Sequence, residues 1–98
     1  MDKLIVCNRA IVFKDDMAFL AQRESGAPVT PLIASEFSRL RADAVEAFRD
    51  DPSIVDTPAL HAGKTTFAEA RFVAAALAGI VETLMRHEFE RSIISSRT

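Results

Sequence analysis

Leu4-Ile5-Val6-Cys7-Asn8-Arg9-Ala10-Ile11-Val12-Phe13 is the stretch on which the fold class turns. Four of its ten residues, Ile5, Val6, Ile11 and Val12, are β-branched. Such side chains are stiff at χ1 and pack well on a pleated surface. The composition therefore predicts strand. Asn8-Arg9 is where a hairpin would turn between residues 4–7 and 10–13, although Arg suits the positive φ of a two-residue turn poorly. One continuous extended strand fits equally, and a helix starting at Asp2 is the third reading. The expectation is one or two short N-terminal strands, followed by a short helix over residues 17–24 capped by Asp15 or Asp16 and stopped by Gly26.

Downstream the periodicity is helical. Thr30 precedes Pro31, which suits a first helical turn because its missing N–H would have no partner there. Ile33, Phe37, Leu40, Ala44, Ala47 and Phe48 then recur on one face, with Glu36, Arg39, Asp43 and Glu46 on the other. Glu36–Arg39 and Arg39–Asp43 are spaced to pair. This helix must end near Asp51, because Pro52 disfavours helical geometry in the residue before it. A third helix is predicted over residues 67–94. Ala70, Val73, Leu77, Ile80, Val81 and Leu84 form its core stripe. Ala68, Phe72, Ala75, Ala76 and Gly79 form a second apolar patch on the opposite side, so residues 72–81 read as a segment covered on both sides. The predicted class is thus α+β and mainly helical, with N-terminal strands packed on two long helices and one short one.

Ninety-eight residues make one domain, 1–98, large enough to bury a core without a disulfide or metal. The hydrophobic fraction of 49% predicts a packed fold rather than disorder. Net charge is −2, from 12 basic and 14 acidic residues, and neither half of the chain is a charged tail. Arg39, Arg41 and Arg49 are interleaved with Glu36, Asp43 and Glu46, which cancels the field that phosphate contacts require. With no Trp or Tyr, stacking platforms are few. A nucleic-acid partner is therefore disfavoured. Cys7 is the sole cysteine, so no intrachain disulfide forms. The apolar runs are too short for a signal peptide or a membrane span, and the expected location is cytoplasmic.

Gly63-Lys64-Thr65-Thr66 matches the tail of a phosphate-binding loop. Such a loop needs a Gly-rich turn whose N–H groups wrap the phosphates, yet Pro58 stands where the first Gly belongs. Thr66-Phe67-Ala68-Glu69 is better read as a capping box at the start of the third helix. Lys64, Thr65 and Thr66, with His61 nearby, remain the alternative phosphate-binding set. His87-Glu88-Phe89-Glu90-Arg91 begins like a zinc-protease helix but has Arg91 in place of the second His, so no metal is expected. No cofactor is expected either. Cys7 has no base fixed by sequence and reads as a packed thiol.

By exclusion, the sequence points to a non-enzymatic protein-binding module acting as an adaptor, regulator, inhibitor or assembly component. Its interaction face is Phe72, Ala75, Ala76 and Gly79. A Gly inside a helix costs about 1 kcal/mol relative to Ala, so its presence suggests a close approach, either by the first two elements of the same chain, making this a central core helix, or by another chain. The expected partner is a protein, first of all a second copy in a homodimer. A small ligand-binding protein or enzyme using the HAGKTT segment is the second reading, and a nucleic-acid-binding regulator the third.

Overall fold

The computed structural model describes residues 1–97. Four helices follow one another: α1 (Lys3–Glu24), α2 (Pro31–Ala47), the single-turn α3 (Pro52–Val55) and α4 (Phe67–Arg97). Among the described residues there is no sheet; the one β-bridge joins Pro28 to Thr66 between two loops.

The expected N-terminal strands are corrected to helix. Residues 4–13 are the first half of the 22-residue α1, which runs on through Asp15 and Asp16 without a break. The Asp2 carboxylate caps it, accepting from the N–H groups of Leu4 at 2.8 Å and Ile5 at 3.1 Å. Val6, Ala10, Phe13, Met17 and Ala21 then recur at helical spacing, and all five are buried. Tertiary burial on that stripe outweighs the β-branched preference, which is worth only tenths of a kcal/mol per residue. Asp15 and Asp16 are exposed mid-helix residues, not caps.

α2 starts as its sequence predicts, with Thr30 Oγ1 accepting from Ile33 N–H at 3.2 Å and Pro31 in the first turn. It ends earlier than Asp51. Phe48 caps it at Ala47, and Arg49 and Asp50 follow with φ of 51° and 59°. That left-handed pair reverses the chain, and Asp51 caps α3 by accepting from Ser53 N–H at 3.0 Å. Neither expected helix-face pair involving Arg39 forms among the described residues, and Asp43 instead takes Arg9 of α1 at 2.7 Å.

The most extensive helix contact is between α1 and α4. They are antiparallel: Lys3 is ion-paired with Glu88 at one end, and Ser25 accepts from Ala68 N–H at the other. α2 lies against α1 on another side, tied by the Phe13 and Phe37 rings, whose centroids are 5.4 Å apart. α3 bridges α2 and α4, with Ile54 fully buried. Arg41 fixes that bridge by donating to the carbonyls of Val55 and Thr57. The core mixes large residues (Phe37, Leu77, Val81, Val6) with Ala10, Ala21, Ala70, Ala74 and Ala78, small side chains that let helices approach closely.

Two substitutions test this packing by urea denaturation. Phe37→Ala removes a side chain that is 1% exposed and should cost about 3–5 kcal/mol. Asp2→Ala, which deletes the α1 cap, should cost about 1 kcal/mol and a strand would be indifferent to it.

Candidate functional site

α4 begins where two loops meet. Thr66 Oγ1 accepts from Glu69 N–H at 3.2 Å, and Glu69 Oε1 accepts from Thr66 N–H at 3.2 Å, which is a capping box. The next two amides donate to the α1–α2 loop: Phe67 N–H to the Ala27 carbonyl and Ala68 N–H to that of Ser25. The orphan donors of this helix start are thereby used within the chain.

The same holds for the segment before it. Gly63 sits at φ 76°, a left-handed position that favours glycine. Its N–H donates to the Val29 carbonyl, while the Lys64 and Thr65 N–H groups both donate to the His61 carbonyl. Thr65 Oγ1 is occupied by His61 N–H at 2.8 Å. A phosphate cradle needs these amides pointing outward and unpaired. Here they close turns, and the Glu69 carboxylate stands at the helix start where an anion would sit. Lys64 and His61 are exposed on this loop.

The remaining chemistry-bearing residues lie apart. His61 precedes α4, while His87 lies five turns along it, about 30 Å away by helix rise. Among the described residues no group of three or more His, Cys, Asp or Glu is close enough to hold a metal ion. Cys7 is buried on α1. Burial pushes its thiol above the usual value, and the Glu82 carboxylate pushes in the same direction. That is the reverse of the electropositive setting a thiolate nucleophile needs.

The predicted interaction face stands open. Phe72 is 74% exposed, and Ala75, Ala76 and Gly79 are exposed with it. α1 and α3 cover the Ala70–Leu77–Val81 stripe and leave this side bare, so the expected cover on both sides is not supplied by the chain itself. A Cβ built on Gly79 meets nothing within 4 Å. The fold of one chain therefore gives no reason for a glycine there. Beside it runs an open groove of about 490 Å³, floored by Ala75, Ala76, Gly79 and Thr83 and rimmed by Asp51 and Ser53 of the α3 turn. Thr83 Oγ1 donates back to the Gly79 carbonyl at 2.8 Å, turning the hydroxyl's polarity inward and leaving its methyl to the groove. Sequence reading missed both the Thr83 back-bond and the rim. The first was signalled by Thr four residues after Gly; the second depends on how α3 packs and has no local signal.

Comparisons with family models, with curated proteins and with solved structures find no match. No helix among the described residues is long and apolar enough to cross a membrane.

Two measurements follow from this geometry. Gly79→Ala should raise stability by up to about 1 kcal/mol, the helix-propensity difference, because nothing obstructs the methyl group. Cys7 gives a pH dependence. Its folded pKa is raised above the ordinary 9.0, so the folded state holds its proton where the unfolded chain releases it. The stabilisation is complete below the ordinary thiol value and is lost as pH rises through the folded one. Urea unfolding from about pH 7 to 10 should show wild type losing stability relative to Cys7→Ala only at the alkaline end.

Proposed function

We propose that this chain is a small non-enzymatic protein-binding module, serving as an adaptor, regulator, inhibitor or assembly component, whose docking face is the outer side of α4. The observation that carries the reading is Gly79, a costly residue in a helix interior with open space where its side chain would be. Glycine at such a place lets a partner helix lie against the backbone. Phe72, two turns before it and almost bare, is the anchor such an interface uses: a large aromatic at one end of a flat, small-residue floor. A second copy crossing at Gly79 is the homodimeric form of this reading.

The face is small. Burying Phe72 with its alanine neighbours contributes several kcal/mol at about 25 cal/mol per Å². Association costs an estimated 4–15 kcal/mol in lost freedom. A partner held here must therefore also engage the Asp51–Ser53 rim, or the complex must have a further contact elsewhere. The HAGKTT alternative has less support, since the amides of Gly63, Lys64 and Thr65 are spent on internal turns. The interleaved charges of α2 give a nucleic acid little to hold.

Gly79→Leu and Phe72→Ala are the test pair. Each should leave far-UV helicity unchanged and weaken capture of the same partner at least tenfold in pull-down titration, a change of about 1.4 kcal/mol or more. A partner bound equally by wild type and both variants would refute α4 as the docking face.

A further inference from the structure

α1 carries a second uncovered apolar face that neither the fold nor the α4 reading uses. Ile5, Val12 and Phe19 are each more than half exposed. They recur every seven residues on the side of α1 turned away from its buried Val6–Ala10–Phe13–Met17 stripe. Seven residues is the heptad spacing of helices packed along their length; here one of its two seam positions is apolar and the other holds Asn8-Arg9 and Asp15-Asp16. It runs about 21 Å from Ile5 to Phe19. The row passes over a shallow cleft of about 400 Å³ between α1 and α2, where Val12 stands at the lip.

We propose that this row is the self-association surface of the protein, and that its occupant is α1 of a second copy, antiparallel, with the two-fold axis at Val12. The charges select this arrangement. About an axis at Val12, residue n lies opposite residue 24 − n, so Ile5 meets Phe19 of the other chain and Val12 meets its own copy. Arg9 and Asn8 then flank Asp16 and Asp15 across the interface, on the same sides of the helix pair. Arg9 gives one nitrogen to Asp43 and keeps further donors of its fork for a second carboxylate. A parallel pair would instead set Asp15 and Asp16 against copies of themselves, which costs rather than stabilises. The three half-bare side chains fall short of the roughly 1,000 Å² of a specific interface, so the polar residues flanking the row must join it, and the predicted dimer is weak rather than obligate. It leaves both α4 outer faces open, because those lie on the far sides of the α1–α4 pairs. The inference replaces the homodimeric form of the α4 reading and leaves docking of other proteins on α4 as it stands.

Light scattering after size exclusion, over a concentration series reaching about 500 μM, should show a monomer–dimer equilibrium. Val12→Asp should shift it at least tenfold toward monomer with helicity unchanged, whereas Gly79→Leu should leave it in place. In a Cys7→Ala background, Val12→Cys should oxidise to a covalent dimer in a glutathione buffer. A mixture of Ile5→Cys and Phe19→Cys proteins should form the mixed disulfide in preference to either self-disulfide, which reports the antiparallel order. A monomer at every concentration overturns the inference and leaves α4 docking of other proteins untouched. So does a dimer lost with Gly79→Leu but kept with Val12→Asp, which would instead put the second copy on α4. A preference for the two self-disulfides overturns the antiparallel pairing.

Discussion

The architecture depends on the interlock between the α1–α2 loop and the entry to α4. Val29, 1% exposed, donates its N–H to the Thr65 carbonyl and accepts from Gly63. Ala27 and Ser25 accept from the first amides of α4. Four backbone hydrogen bonds thus join two segments some 40 residues apart in sequence. They fix the C-terminal end of α1 beside the N-terminal end of α4. An antiparallel helix pair anchored at one end has its register set along its whole length, and the Lys3–Glu88 contact at the other end falls out of that register.

The clamp also explains why a loop that resembles part of a nucleotide site is built as it is. Gly63 is needed because its φ is positive and its N–H must reach Val29. Thr65 is needed to hold His61 N–H, and Thr66 to cap α4. Gly63 N–H and the Thr65 carbonyl fasten one loop to the other, while the Thr65 and Thr66 hydroxyls close the turn and cap α4. A glycine, a lysine and two threonines in a row are economical turn chemistry, and the likeness to phosphate chemistry arises because both use backbone amides at a helix start.

Sequence and structure agree where one physical signal acts alone. The Thr30-Pro31 start of α2, its Phe37–Leu40–Ala44 stripe and the Thr66–Glu69 box each combine a local cap with an amphipathic period, and local rules suffice. They part at α1. There Ile5, Val12 and Phe19 interrupt the polar face that would have marked an amphipathic helix, so the apolar residues run all round and mimic the density of a buried strand. The Val6–Ala10–Phe13–Met17 spacing and Asp2 as a cap were present in the sequence, but both are subordinate to the β-branched run when the eye looks for period two. The α3 turn was illegible for a different reason: its burial depends on Arg41 holding the Val55 and Thr57 carbonyls, an arrangement that no local pattern encodes. For the candidate site, the composition of the α4 face could be read from the wheel, whereas its exposure could not, because exposure is a property of what packs elsewhere.

The feature that misled the reading of α1 is the feature that most demands a functional account. A helix that needs only one stripe to fold carries a second one at seven-residue spacing, and α4 carries a glycine its own fold does not require. Apolar side chains scattered singly over a surface are ordinary. Here they are ordered along helix axes, on two faces. Ala at 79 would be the better helix former and meets nothing within 4 Å, and Ile5, Val12 and Phe19 each leave more than half of their surface in solvent. These two faces are the surfaces that the proposed contacts outside the chain would use.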